Sequence, residues 1–213
     1  MNEKSITRYT EKEERLNIGT HAFGLLTSIL AFPFLLLKAA DFEGFWKPAS
    51  LIIYGLSLIL LYAASTFYHS AKDTLRRRKL NIFDHAAIYV LIAGTYSPFT
   101  LIVLEGYLGW LVFFLTWSFA FIGIVVKLFF TGRFDILSTI LYVFMGWQIV
   151  FVYRTLIENL ATQGLQLLFL GGIFYTVGAL LYSIKKIPYN HTLFHVFVLL
   201  GSLCHFFSVY YFI

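Results

Sequence analysis

Long apolar stretches separated by short polar connections dominate this chain of 213 residues. A helix that crosses a membrane needs about 20 apolar residues, because a rise of about 1.5 Å per residue must cover about 30 Å of hydrocarbon. The pattern therefore predicts an all-α integral membrane protein, a bundle of seven transmembrane helices. The seven stretches lie near residues 21–40, 48–71, 82–103, 107–129, 136–153, 163–184 and 191–213.

The amino-acid composition is typical of a protein that is surrounded by membrane lipid. Hydrophobic residues make up 59% of the chain and charged residues only 13%, so a water-soluble fold of this size would leave an apolar exterior in water. The same values exclude a disordered chain, and the single cysteine, Cys204, excludes an internal disulfide scaffold. The net charge of +5 comes from short cationic clusters between apolar runs, which predicts contact with membrane lipids and no nucleic-acid partner.

The distribution of cations predicts the orientation of the chain. Lys and Arg accumulate in cytoplasmic connections, and a cytoplasmic N-terminus places most of the 16 basic residues on that side. Seven spans then place the C-terminus outside, in a multi-pass protein of the cell membrane. Only Lys38, Lys47 and Arg154 fall on the outer side. The predicted cytoplasmic cations are Lys4, Arg8, Lys12, Arg15, Lys72, Arg76, Arg77, Arg78, Lys79, Lys127, Arg133, Lys185 and Lys186.

The polar N-terminus is predicted to stay outside the membrane. Residues 1–17 are interpreted as a cytoplasmic segment, and residues 18–213 as the seven-helix transmembrane domain. Thr10, followed three residues later by Glu13, has the pattern of a capping box. A short polar helix is therefore expected to lead into the first span.

Few ionisable residues lie within the spans, and these are informative because each costs about 2.5–3.5 kcal/mol at membrane depth. Ser65 and His69 close the second apolar stretch, Asp84 opens the third, and His191 and His195 open the seventh. Successive spans run in opposite directions. All five residues are therefore predicted to lie at the cytoplasmic end of the bundle.

The spacing of these residues suits a metal ion. His191 and His195 are four residues apart, so their imidazoles lie on one helix face. Three histidines with an open fourth position are the ligand set of a catalytic zinc ion, which lowers the pKa of its bound water from about 15.7 to about 7. Asp84 would hold or deprotonate that water, and Ser65 would either support a metal ligand or polarise a substrate. We therefore predict zinc as the cofactor.

Simpler interpretations remain open for each residue. A single histidine near a helix end is usually a boundary residue, and Asp84 has the alternatives of pairing with residues 76–78 or capping the third helix. His85 points about 100° away from Asp84, which favours a supporting or structural position. His21 is expected at the membrane interface. His205 is expected to pack near the outer face.

Several strings of residues carry a resemblance to a known family. The chain from about residue 13 to the end resembles the hemolysin III branch of the progestin and adipoQ receptor family. The stretch Glu14-Arg15-Leu16-Asn17 is similar to the family's N-terminal Glu-x-x-Asn motif. Thr192 stands where many bacterial members are expected to have an acidic residue. The strings that carry the resemblance are Ser65-x-x-x-His69, Asp84-His85-Ala86-Ala87-Ile88-Tyr89, Ala93-Gly94-Thr95-Tyr96-Ser97-Pro98 and His191-x-x-x-His195.

The resemblance implies both a fold and a site. It implies seven helices with a cytoplasmic N-terminus and a zinc ion held by His69, His191 and His195. It also implies that Asp84 meets the metal through water and that Ser65 lines the site. The function remains open between three hypotheses: a zinc-dependent hydrolase of lipid amides or esters, a pore-forming or cytolytic protein with a structural zinc, and a receptor or regulator of membrane state.

Overall fold

The computed structural model describes residues 9–130 and 135–213, and these residues form helices without any strand. Seven helices in this part of the chain are long and apolar enough to cross a membrane, which confirms the predicted fold class. A π-helical segment, Phe99–Leu104, extends α3, and a 3₁₀ segment, Gln148–Val152, joins α5 to α6 within the fifth span. The helices are α1 Glu11–Ala39, α2 Trp46–Ser70, α3 Thr74–Pro98, α4 Gly106–Phe130, α5 Asp135–Trp147, α6 Tyr153–Asn159, α7 Thr162–Ser183 and α8 Asn190–Phe212.

The first helix begins earlier than the apolar pattern indicates. Thr10 caps α1, because its side chain accepts a hydrogen bond from the backbone N–H of Glu13. The capped helix then continues without a break to Ala39, so the short polar helix is the first part of the first span rather than a separate element. The assignment of residues 1–17 to the cytoplasm stays a prediction, and residues 1–8 lie outside the described residues.

The spans form a ring in which α1 packs against both α2 and α8. The chain continues around the ring through α3, α5 and α7, while α4 packs against α3 and α5. The third span is the most enclosed, with 78% of its apolar window buried against 22% for the first span. Bulky apolar side chains such as Leu37, Phe121 and Phe151 remain exposed on the outside of the bundle. A lipid environment accounts for such an exterior.

A close contact between α2 and α3 sets the positions of two predicted site helices. A Cβ atom on Gly94 would clash with the Ser57 hydroxyl, so only glycine permits this approach. The α2–α3 pair is among the most extensive helix contacts of the bundle. It places the C-terminal end of α2, with Ser65 and His69, beside the N-terminal part of α3, with Asp84.

The two ends of the bundle differ in chemistry. At one end, the indoles of Trp46 and Trp110 meet at 5.1 Å between ring centroids, and Lys47 donates to Glu105 at 2.5 Å. The opposite end contains the predicted site residues. The prediction that the site faces the cytoplasm stays a prediction, and three of the cations used for it, Lys4, Arg8 and Arg133, lie outside the described residues.

Candidate metal centre

Three histidines from two helices meet inside the bundle. His69 ends α2, and His191 and His195 occupy the first turns of α8. Each offers a ring nitrogen, and these nitrogens lie within 4.8 Å of one another. All three side chains are buried, and His69 Nε2 lies 3.0 Å from His191 Nε2. The structure therefore brings together the three histidines that the sequence spacing selects.

Glu14 on α1 orients the His69 ring. Its carboxylate lies 2.7 Å from His69 Nδ1 and also accepts a hydrogen bond from Arg77 on α3. An ionised carboxylate is only an acceptor, so His69 carries a proton on Nδ1, and in the neutral ring the lone pair lies on Nε2. A carboxylate in this position is typical of metal-binding histidines, because it holds the ring and raises its basicity.

Thr20 holds the His195 ring in a similar way. Its hydroxyl lies 3.2 Å from His195 Nδ1 and donates its own proton to the carbonyl groups of Leu16 and Asn17. The Thr20 oxygen is then an acceptor for the His195 N–H. His195 Nε2 consequently has a free lone pair, the form in which an imidazole binds a metal.

Tyr9 covers the cluster at the end of the bundle. Its ring stacks on His191 at 4.8 Å with an interplanar angle of 22°, and it lies 5.8 Å from His69. Burial raises the pKa of the Tyr9 hydroxyl above its ordinary value, so the side chain stays neutral. His191 Nδ1 beneath it is buried and has no hydrogen-bond partner.

The donor set fits a metal ion. The Nε2 lone pair of His69 faces His191 Nε2 at 3.0 Å, and such a pair of nitrogens needs a proton or a cation between them. Tetrahedral nitrogen ligands of zinc lie about 3.3 Å apart for metal–nitrogen bonds of about 2.0–2.1 Å. The three buried histidines can therefore hold a metal ion with small movements of their rings.

Asp84 and Ser65 lie beside the histidines but outside the group of close nitrogens. Both side chains are buried and line the same cavity as His191 and His195. The Asp84 carboxylate is 4.0 Å from His85 Nδ1. The Ser65 hydroxyl lies next to Asp84, but its geometry does not meet the requirements of a hydrogen bond. Asp84 therefore lines the cavity and is not one of the three residues whose ligand atoms lie within 4.8 Å of one another.

The structure excludes one of the alternative interpretations of Asp84, the helix cap. Asp73, not Asp84, caps α3, because its side chain accepts a hydrogen bond from the backbone N–H of Arg76. Arg77 pairs with Glu14. The capping interpretation of Asp84 is therefore wrong, and the arginine at the centre of the basic run has another carboxylate partner.

Three further histidines have different environments. His21 is only 3% exposed and stacks on His195 at 3.5 Å, so it packs inside the bundle beside the histidine cluster, and its position at the membrane interface stays a prediction. His85 makes a local contact with the Asn81 carbonyl at 2.8 Å. His205 packs near the other end of the cavity, where its Nε2 lies 3.0 Å from the Leu168 carbonyl.

Glu14 and Asn17, the two residues of the Glu-x-x-Asn motif on α1, both make contacts at this site. Asn17 Oδ1 accepts a 2.6 Å hydrogen bond from the Thr192 hydroxyl, which attaches α1 to α8 between the two histidines of α8. The hydroxyl of Thr192 therefore makes this contact between α1 and α8, at a position where an acidic residue was expected.

The sequence did not predict the contacts of Glu14, Tyr9 or Thr20. The only sequence signal was the spacing of Glu14 and Asn17, which places both on one helix face.

Loss of the Glu14 charge is expected to weaken metal binding. In Glu14→Gln, the partner of His69 and Arg77 becomes neutral, and removal of such a supporting group costs about 10–100-fold in metal affinity. Competition with chelators of known affinity measures this loss. Glu11→Gln is the matched control, since Glu11 forms an exposed ion pair with Arg15 on the same helix. Equal metal affinity in the two variants would contradict the role of Glu14.

Comparison with known proteins identifies the family to which the chain is similar. A family model described as "Haemolysin-III related" matches residues 9–206. A protein from Bacillus subtilis named "Hemolysin-3 homolog" is 47% identical over 94% of both chains, and "Hemolysin-3" of Bacillus cereus is 43% identical over the whole of this chain and 98% of its own.

A more distant human protein is also similar. "Monocyte to macrophage differentiation factor" of Homo sapiens is 27% identical over 93% of this chain and 83% of its own. No solved structure matches the chain at a significant level.

Proposed function

Because the chain belongs to the haemolysin III family and is a multi-pass membrane protein, we propose that it is a zinc-dependent hydrolase of lipid amides or esters. The observation that carries the proposal is a cluster of three buried histidines, two of which, His191 and His195, line a mostly apolar cavity together with an aspartate and a serine. A structural metal site would need the histidines, but it would not need a carboxylate and a hydroxyl that face the same open space.

The three histidines would hold the zinc ion. Glu14 and Thr20 hold the rings of His69 and His195 in the required tautomer. When bound, zinc polarises a carbonyl oxygen and makes water more acidic, the two contributions that hydrolysis requires.

Asp84 is the candidate general base. It is buried at the cavity, where its carboxylate would accept a proton from water as the water oxygen bonds to the carbonyl carbon. The same group would return the proton to the leaving amine or alcohol as the amide or ester bond breaks. Ser65 has a buried hydroxyl without a hydrogen-bond partner, which would donate to the oxyanion that develops on the carbonyl.

The shape of the cavity supports a lipid substrate. Its lining on the third span extends from Asp84 to Phe99, and its lining on α8 extends from His191 to His205. At about 1.5 Å per residue, the two paths measure roughly 21 to 22 Å, which exceeds the roughly 15 Å that one leaflet of hydrocarbon occupies. Apolar residues such as Leu91 form most of the walls. A long acyl chain would fill this space and leave its polar end at the histidines.

Release of fatty acid tests the proposal. We expect purified, zinc-loaded protein to release fatty acid from at least one member of a panel of lipid amides and esters. Activity should disappear after chelation, return with zinc, and be absent in His69→Ala. Mass spectrometry of the released acids measures the reaction. A zinc-loaded, folded protein that releases nothing from the panel would contradict the hydrolase.

The names of the two bacterial relatives favour a second candidate, a cytolytic or permeability-altering protein with a structural zinc. This function predicts leakage of an entrapped dye from vesicles in proportion to the amount of protein added. Intact vesicles would exclude it. The continuous, apolar helices argue for a resident membrane protein rather than one that inserts from water. Zinc-loaded protein without hydrolysis or leakage would leave the role of a membrane regulator.

A further inference from the structure

His21 is a buried imidazole whose polar atoms have no hydrogen-bond partner among the residues that the structure describes. The residue is 3% exposed, and neither Nδ1 nor Nε2 makes a hydrogen bond. Burial of polar groups without hydrogen bonds destabilises a folded protein, and such groups in native structures call for an explanation. The other features of His21 do not require nitrogen atoms: its ring stacks on His195 at 3.5 Å and meets Tyr62 edge-on at 5.1 Å.

His21 faces the same cavity as the proposed catalytic groups. The cavity lining includes His21 on α1, Ser65 on α2 and Asp84 on α3, so three helices present polar side chains to a mostly apolar space. His21 is not one of the three residues whose ring nitrogens come within 4.8 Å of one another. Its nitrogens are thus available to a molecule in the cavity.

We propose that His21 binds the polar group of a lipid in this cavity, at a point next to the histidine cluster. A neutral imidazole presents one N–H donor and one nitrogen acceptor. Both are unpaired in His21, so the group that satisfies them must itself contain a donor and an acceptor, as a hydroxyl or an amide does. A group that only accepts, such as an ether or ester oxygen, leaves one buried nitrogen unpaired.

This inference rests on the lipid-binding cavity of the proposed function, but it does not depend on hydrolysis. It is therefore tested with two probes that cannot be hydrolysed, hexadecanol and its methyl ether. The alcohol has a donor and an acceptor, whereas the ether has an acceptor only. We expect wild-type protein to bind the alcohol about tenfold more tightly, the effect of one additional buried hydrogen bond. Displacement of a fluorescent fatty-acid analogue measures both dissociation constants.

His21→Phe keeps an aromatic ring against His195 and Tyr62 but removes both nitrogens. We expect the tenfold preference for the alcohol to disappear, affinity for the ether to fall by the one hydrogen bond that the ether accepts from His21, and the amount of bound zinc to stay unchanged. Without ligand, the variant should melt about 2–4 °C higher, because it no longer buries unpaired polar atoms. A gain in stability together with a loss of selectivity distinguishes a binding residue from a structural one.

A matched control is His205→Phe, which removes another buried imidazole at the other end of the cavity. His205 is next to the Leu168 carbonyl, so this variant should melt at a lower temperature and retain the preference for the alcohol. If His21→Phe cannot be purified in folded form, His21→Leu answers the same question, because the ratio of the two affinities reports only on folded protein.

Several results would overturn the inference. They are an unchanged preference in His21→Phe, a loss of zinc in that variant, or a wild-type protein that binds neither probe. A wild-type protein that hydrolyses lipids but shows no preference between the probes would overturn the role of His21 and leave the hydrolase intact. A preference that depends on His21, in a protein that releases no fatty acid, would support His21 and contradict the hydrolase.

Discussion

Asp84→Asn is expected to lower the rate of lipid hydrolysis by about 10²–10⁴-fold, the usual contribution of a general base. The substitution keeps the size of a side chain that is buried at the cavity, so packing should change little. The amide cannot accept the proton that the attacking water must lose. Initial rates of fatty-acid release, measured at saturating zinc, give the size of the effect.

The zinc content separates two explanations for this loss. The Asp84 carboxylate is not one of the ligand atoms that lie within 4.8 Å of one another, so Asp84→Asn should bind zinc as the wild type does. Asp73→Asn is the matched control, because it makes the same substitution on α3 at the helix cap, where asparagine is an equally good residue. Full activity in Asp84→Asn would exclude the general base. Joint loss of zinc and activity would identify Asp84 as a direct ligand.

His195→Ala is expected to abolish metal binding, with a loss of affinity greater than about 100-fold. Removal of a group that only supports a ligand already costs about 10–100-fold, and His195 is one of the three proposed ligands. Its ring is 4.4 Å from the His191 ring and 5.2 Å from the His69 ring, measured between centroids. Elemental analysis of the purified protein measures the bound metal.

His205→Ala is the control for the loss of a buried ring. His205 lies ten residues further along α8 and is also buried, but it is not part of the histidine cluster. Both variants lose packing, so both should unfold at lower temperature. Only His195→Ala should lose the metal. If both variants keep the wild-type metal content, the three-histidine site is not the metal site of this protein.

Much of the candidate site was predictable, because its residues have polar side chains within segments that are otherwise mostly apolar. His69, Asp84, His191 and His195 are polar groups in segments that must cross lipid, where each is costly. The alternation of helix direction then placed all four at one end of the bundle. The structure confirms that the three histidines meet, while the metal and the roles of Asp84 and Ser65 stay proposals.

The contacts of α1 were not predictable in this way. Glu14 lies near the start of a helix that follows a polar segment, where an acidic residue is ordinary; its spacing from Asn17 places both on one helix face but does not identify His69 and Arg77 as its partners. His21 resembles a boundary residue for the same reason. Its burial depends on α1 packing against both α2 and α8, which closes the ring of helices.

The sequence by itself determined that the protein lies in a membrane, how many times it crosses, and at which end of the bundle the polar residues gather. These properties depend on the pattern of apolar residues and on helix length along the chain. Only the tertiary structure decided which side chains support each histidine, that Tyr9 covers the cluster, and that His21 faces the cavity with unpaired nitrogens. These contacts join residues that are far apart in sequence, and they depend on the rotation of each helix about its axis. In lipid that rotation is set by packing against neighbouring helices, since lipid chains are as apolar as the side chains that face them.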